Sequence, residues 1–342
     1  MSDTSQKKDN KPIIGISIGD FNGIGPEVTI KALNDNRILN HFTPVIYADG
    51  RLISFYRKQL NFQQFNYNQI KKIDALDRRK VNVLNLNQQE INITPGNPTK
   101  EGGEYAALSL SKAVEDLKNG KIDALVTAPL SKELVQSESF SFPGHTEYLT
   151  ERDGAKDSLM FLVSDTIRVG VVTGHIPLKD VPNAVTEELV SRKLNMMMKS
   201  LKKDFGIKKP QIAILGLNPH AGENGLLGYE EQKVLIPLIQ KEKDKGHFVD
   251  GPYPSDGFFG SSQFKSYDGI LAMYHDQGLI PFKYIAFETG VNFTAGLSFI
   301  RTSPDHGTAF ALAGKNQADE RSMRHALFTA ADIVRRREEH QS

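Results

Sequence analysis

The chain has 342 residues, 39% hydrophobic and 24% charged, with a formal net charge of +1 and no cysteine. That balance fits a globular protein of one large or two ordinary domains. It provides no global field for nucleic acid or an anionic membrane, and it excludes thiolate catalysis, cysteine-held zinc, iron–sulfur clusters and disulfides.

Residues 1–11, MSDTSQKKDNK, lack the apolar core of a signal peptide. They are expected to form a disordered leader ahead of a folded unit over residues 12–338 of a cytoplasmic protein. No stretch approaches the roughly 18 uninterrupted apolar residues of a membrane span. Pro12–Ile18 reads as a strand. It runs into a glycine-rich turn, Gly19-Asp20-Phe21-Asn22-Gly23-Ile24-Gly25, and Pro26 opens a helix that continues through Leu33. A helix N-terminus behind such a turn is a natural anion site. Pro44–Ala48 is a second strand, and residues 60–90 are expected to be surface strands and loops. Glu104–Leu117 has apolar residues at helical spacing and ends at Asn119-Gly120. The strand Ala124–Val126 leads into Thr127-Ala128-Pro129-Leu130-Ser131-Lys132, and a helix is expected over Tyr148–Arg152.

The strand Ile167–Val172 ends in Thr173-Gly174-His175. Thr186 is a plausible cap for a helix through Leu201. The strand Gln211–Leu217 ends in Asn218-Pro219-His220. A helix over Glu230–Glu242 follows, at most kinked by Pro237. The run Gly269–Met273 reads as a buried strand that breaks into Tyr274-His275-Asp276-Gln277-Gly278. A helix from about Ser322 to Arg337 closes the chain. Strands alternating with helices predict an α/β layered fold, in which ligands sit beyond the carboxyl ends of the strands.

His175, His220 and His275 share one context: each follows the carboxyl end of a predicted strand. They are 45 and 55 residues apart, from 175 to 220 and from 220 to 275, so only a sheet would unite them. Three neutral imidazoles leave positions open for substrate oxygens on a divalent ion; the alternative is that they are hydrogen-bonded loop histidines. His145 and Thr146 precede a helix and suit a phosphate or carboxylate, unless Thr146 is only a helix cap. Lys283, Asn292 and Arg301 would suit a doubly anionic substrate, unless the two cations are ordinary surface charge. Gly15-Ile16-Ser17-Ile18-Gly19 matches a nucleophile-elbow pattern, but Ser17 lies inside the strand rather than on the turn. Gly23-Ile24-Gly25 lacks the third glycine of a dinucleotide fingerprint, so any NAD site is not of the standard Rossmann type.

At these residues the chain resembles the 4-hydroxythreonine-4-phosphate dehydrogenase family of vitamin B6 biosynthesis. The resemblance runs through GDFNGIGPE (19–27), PGHTEYL (143–149), HIPL (175–178), LNPHAGENG (217–225), DGILAMYHDQGL (268–279) and FIRTSPDHGTA (299–309). It implies an isocitrate/isopropylmalate dehydrogenase-like fold: one catalytic unit with two α/β/α lobes flanking a cleft, in a homodimer with shared active sites. It assigns one divalent metal (zinc, magnesium or cobalt) to His175, His220 and His275, the last from the partner subunit. It assigns substrate contacts to His145, Thr146, Lys283, Asn292 and Arg301, and the cofactor to NAD or NADP. His145, Lys283 and Asp276 are the candidates for catalytic roles, Asp276 as an orienter of His275; Asp256 is a weaker candidate nearby. The chain departs from the family pattern at Phe21-Asn22, Ser298 and Ala311, which leaves fine cofactor or substrate preference open.

The implied reaction oxidises 4-phosphooxy-L-threonine to a 3-oxo acid that then loses CO2. The alternatives are oxidation of another 4-phosphorylated hydroxy acid, such as D-threonate or D-erythronate 4-phosphate, and, more distantly, a phosphate acyltransferase or a non-redox ligand-binding protein on a related fold.

Overall fold

A computed structural model describes residues 11–87, 91–135, 142 and 144–340. The expected leader therefore lies almost wholly outside the described residues, as does Pro143. The chain divides into two compact units, each discontinuous in sequence: Met1–Leu149 with Phe299–Arg335, and Thr150–Ser298 with Arg336–Ser342.

The first unit opens with β1 (Ile13–Ser17), α1 (Gly25–Leu33), β2 (Thr43–Tyr47) and α2 (Gly50–Gln59). It continues through β3 (Tyr67–Ile70), β4 (Val81–Leu84), α3 (Lys100–Lys118), β5 (Ala124–Thr127) and the start of α4 (His145–Asp153). The second unit comprises β6 (Leu159–Val163), β7 (Arg168–Val171), α5 (Val181–Ala184), α6 (Glu187–Lys203), β8 (Gln211–Leu215) and α7 (Ile236–Asp244). It is completed by β9 (Phe248–Tyr253), α8 (Ser255–Gly260), β10 (Gly269–Ala272), α9 (His275–Ala286) and β11 (Val291–Ala295). The chain then returns to the first unit with β12 (Ile300–Pro304) and the greater part of α10 (Arg321–Glu339), whose residues from Arg336 onward belong to the second unit.

In the first unit the strands run in the order β3-β4-β2-β1-β5-β12, and every pair is parallel. Parallel strands covered on both faces are read as apolar runs rather than alternation, and β2, β4, β5 and β12 are buried at every position. The buried strand β4 corrects the expectation of surface strands across residues 60–90. Its polar member Asn82 is fully buried but turns its amide onto the carbonyls of Asp77 and Lys80. In the second unit the order is β11-β6-β7-β10-β8-β9; β6 is antiparallel to both neighbours, and β7, β10, β8 and β9 are parallel.

Three elements differ from the sequence reading for physical reasons. Helix α3 starts at Lys100 rather than Glu104, because the Thr99 hydroxyl accepts the Gly102 N–H and caps it there. The helix expected from Glu230 is two elements: a π-turn over Glu231–Leu235 ahead of α7. Pro237 has no N–H and would crowd the carbonyl of Lys233, which a wider turn relieves. Beyond β10 the chain does not simply turn; it forms α9, in which Gly278 and Pro281 are internal. A Cβ at Gly278 would stand 2.8 Å from Val169 and 3.1 Å from Ala272, so glycine there lets the helix lie close on β7 and β10.

Candidate metal centre and anion site

Strands β7, β10 and β8, adjacent and parallel, are the three that lead to His175, His275 and His220. Val171 pairs with Ala272, and the ladder extends one step further as the Val172 and Thr173 N–H groups donate to Ala272 and Met273. His175 is four residues past Val171 and His275 three past Ala272. The imidazoles end side by side, with ring centroids 5.7 Å apart. Two imidazoles held at about 2.1 Å by one tetrahedral ion would have centroids about 5 Å apart, so the two rings of one chain are neighbours but stand wider than a pair sharing one ion. His275 is the first residue of α9, and its Nδ1 lies 2.7 Å from the Asp276 carboxylate. A carboxylate there fixes the tautomer and leaves Nε2 as the remaining donor atom. Gln277 locks this helix start: its Oε1 accepts the Met273 N–H at 2.6 Å, and its Nε2 donates to Gly216 O at 2.5 Å and Ser255 Oγ at 2.7 Å. A cavity of about 330 Å³ opens over the pair, lined by both histidines, Asp276, Tyr274, Ile176 and Leu178.

His220 is placed differently. After β8 the chain enters a left-handed turn: His220, Ala221, Gly222, Glu223 and Asn224 have φ of 52, 50, 80, 43 and 54°. For residues other than glycine this conformation costs roughly 1–2 kcal/mol each. The exposed imidazole of His220 does not join the other two as a set: among the described residues no three His, Asp or Glu side chains converge as a metal site. The donor chemistry nevertheless suits a divalent ion: each of the three strand ends leads to an imidazole, and that of His275 is oriented by a carboxylate.

Lys283 stands two turns beyond His275 on α9 and is half-buried. Asn292 lies on β11, opposite Leu162, and its buried side-chain oxygen has no hydrogen-bond partner. An unmet acceptor of that kind is the group a ligand's donor would complete. Asp256, exposed in the first turn of α8, has no described contact with the histidines.

The first unit holds the other candidates. Arg301, 2% exposed on β12, donates from Nε and a terminal nitrogen to the Thr127 hydroxyl at 3.1 and 2.6 Å. Burial draws its pKa down to about 10, with Glu147 acting in the opposite sense, so it stays cationic at neutral pH. His145 begins α4, with Thr146 next to it. Burial, then the charges of Arg301 and Lys132, hold the His145 imidazole well below its usual range. Its neutral form therefore prevails at pH 7. Lys132 and Thr127 were not singled out in the sequence; their only signal was position at the carboxyl end of β5. Of the departures from the family pattern, Phe21 is buried edge-on against Tyr105, and Asn22 donates to Thr99 and accepts the Thr94 N–H. The Ser298 N–H and hydroxyl both donate to Asp153. Ala311 is exposed.

The family model described as "Pyridoxal phosphate biosynthetic protein PdxA" matches residues 40–330. The chain belongs to the PdxA family. This PdxA-family chain is 46% identical over 332 residues to the 4-hydroxythreonine-4-phosphate dehydrogenase of Bacteroides thetaiotaomicron, covering 97% of the chain and 91% of that protein. It is 37% identical to the D-threonate 4-phosphate dehydrogenase of Cupriavidus necator, with 96% and 99% covered. The crystal structure of the 4-hydroxythreonine-4-phosphate dehydrogenase of Klebsiella pneumoniae superposes with a TM-score of 0.81 at 32% identity, covering 95% of this chain and 98% of that one. These relatives are dehydrogenases, and the chain is a PdxA-type oxidoreductase with an α/β fold. The acyltransferase alternative is set aside.

Proposed function

We propose that the protein oxidises 4-phosphooxy-L-threonine to 2-amino-3-oxo-4-phosphooxybutanoate, using NAD or NADP, within pyridoxal 5'-phosphate biosynthesis. The observation that carries the reading is the family match across residues 40–330. A divalent ion on His175, His220 and His275 would supply Lewis acidity toward the reacting hydroxyl, and the nicotinamide would accept a hydride. The carbinol carbon loses hydride and its hydroxyl loses a proton. In the resulting 3-oxo acid the bond to the carboxylate breaks, its electron pair is drawn toward the ketone, and a proton takes its place. The products are CO2 and 3-amino-2-oxopropyl phosphate. Arg301 and Lys283 offset phosphate and carboxylate charge, and Thr146 and Asn292 orient the substrate. His145, neutral at pH 7, and Lys283 are the groups assigned to proton transfer. Asp276 acts through His275 and is a positioning residue.

We further propose that the metal set is completed between two chains, His275 serving the partner. In support, α9 carries His275 at its start and an exposed apolar stripe along its length: Ile280, Tyr284 and Phe287 are 66, 93 and 72% exposed. Mixing a His275→Ala chain with a His220→Ala chain should then restore part of the lost activity; no recovery in a mixture shown to exchange subunits would refute a shared site.

A second reading has its own support, the 37% identity to a D-threonate 4-phosphate dehydrogenase over nearly the whole chain. A panel of 4-phosphooxy-L-threonine, D-threonate 4-phosphate and D-erythronate 4-phosphate, followed by reduced-nicotinamide absorbance, separates the two. The proposal requires the highest kcat/KM with the amino acid; a preference for either phosphorylated sugar acid rejects it.

A further inference from the structure

We propose that Glu231 is a positioning residue for His220, holding the left-handed turn that aims its imidazole. The inference rests on the reading of His220 as a metal ligand.

Glu231 is 1% exposed and sits on the π-turn before α7. Its hydrogen bonds go not to a cation but to one residue of the His220 loop: Oε1 accepts the Asn218 N–H at 2.7 Å, and Oε2 accepts the Asn218 side-chain amide at 2.9 Å. Glu230, its chain neighbour, accepts from the same amide at 2.8 Å and from the Tyr229 N–H at 3.0 Å. Asn218 is thus held by two successive carboxylates just two residues before His220.

The same carboxylate also supports the far side of the turn. A Cβ at Gly222 would stand 2.6 Å from Glu231 Oε2, so the loop backbone runs directly against it. On the near side, a Cβ at Gly216 would meet Ala221 at 3.0 Å. Within the turn, the Ala221 N–H donates to Asn218 O, and the Leu227 N–H to Gly222 O. Asn218 and Gly222 therefore anchor both ends of the segment that contains His220, and Glu231 touches both. A run of left-handed residues with few internal bonds keeps its shape only where its surroundings over-determine it. A buried carboxylate with both oxygens engaged is such a constraint, and outer groups of this kind tune ligand geometry.

The test titrates Co2+ into metal-stripped, full-length protein, read by visible absorption and calorimetry, with circular dichroism and melting recorded for each variant. His220→Ala sets the scale: wild-type Co2+ affinity in that variant would refute the ligand reading itself. With that control weakened as expected, Glu231→Ala should bind Co2+ about 10–100-fold more weakly while keeping its secondary structure. Glu231→Gln, which retains one oxygen for the Asn218 N–H but turns its NH2 toward the Asn218 amide, should recover part of the affinity. The double variant Glu231→Ala/His220→Ala should bind no more weakly than His220→Ala alone, because Glu231 acts through that imidazole. If Glu231→Ala does not fold, Asn218→Ala carries the test, with a several-fold weaker Co2+ affinity expected. Unchanged affinity in Glu231→Ala, or in Asn218→Ala where that variant is used, overturns the proposal. So does a lowered melting temperature with Co2+ binding intact.

Discussion

Two loops of this molecule are each built against a buried carboxyl group, and they use it in opposite ways. In the loop after β1, Asp20 is fully buried; one oxygen accepts the Asn22 N–H at 2.9 Å and the other has no partner. Burial pushes its pKa up to about 6, against the opposing pull of the Asn22 N–H. In the loop after β8, both oxygens of Glu231 accept hydrogen bonds from Asn218. A buried carboxylate with unmet oxygen costs stability as soon as it ionises, whereas one surrounded by donors imposes geometry on whatever supplies them. The first loop carries a charge it cannot solvate; the second uses one to hold a left-handed turn.

The largest expected effect lies in the second loop. Gly222 has φ of +80°, and a Cβ there would press on Glu231 Oε2 at 2.6 Å. Since that oxygen is pinned by Asn218, it cannot swing away without breaking the clamp. Gly222→Ala should destabilise the protein by about 3 kcal/mol, the sum of a left-handed penalty and overpacking. Urea denaturation at fixed protein concentration measures it. A cost below about 1 kcal/mol would mean that Glu231 moves freely and that the two carboxyl groups do not differ in the way described.

This contrast was only partly legible in the sequence. The apolar runs of β7 and β10 were readable, and so was the placement of histidines at strand ends, because buried parallel strands leave an unbroken apolar signature. That His175 and His275 stand side by side follows from strand order and register, which no local pattern encodes. Helix α9 was hidden because Gly278 and Pro281 read as breakers; close packing on Val169 and Ala272 overrides that propensity. Nothing in the run from His220 to Asn224 except Gly222 and Asn224 favours positive φ, so the left-handed turn was invisible. The Glu231–Asn218 contact spans 13 positions and joins a helix to a loop, beyond the reach of periodicity. Lys132 and Thr127 reach Arg301 and His145 only through the tertiary fold.

The middle effect tests the first loop. Between its ordinary 3.8 and about 6, the Asp20 carboxyl binds more protons in the folded than in the unfolded chain. Stability is therefore lost as pH rises through that window and is fully present below it. Asp20→Asn keeps an oxygen for the Asn22 N–H and removes the charge. It should stabilise the protein by about 2 kcal/mol at pH 8, somewhat less than a two-unit shift implies, with the gain vanishing near pH 4. Unfolding free energies at pH 4, 6 and 8 check this. Parallel profiles for variant and wild type would show that Asp20 is paired in solution after all, and that the two loops are alike.

The smallest effect concerns what surrounds Asp20. The Thr99 hydroxyl accepts the Gly102 N–H at 3.1 Å and the Asn22 amide at 3.1 Å, joining the cap of α3 to the loop. A Cβ at Gly102 would stand 2.5 Å from Asp20 Oδ1, so the helix start and the carboxyl group are packed together. Thr99→Ala removes the cap and should cost about 1 kcal/mol. If the loop is merely tolerating the Asp20 charge, that cost is the same at pH 5 and pH 8. If the cap also holds the helix N-terminus against an ionised Asp20, where its partial positive charge is favourable, the cost grows on going from pH 5 to pH 8. The Asp20→Asn background should abolish any such growth, which a double-mutant comparison at the two pH values measures directly.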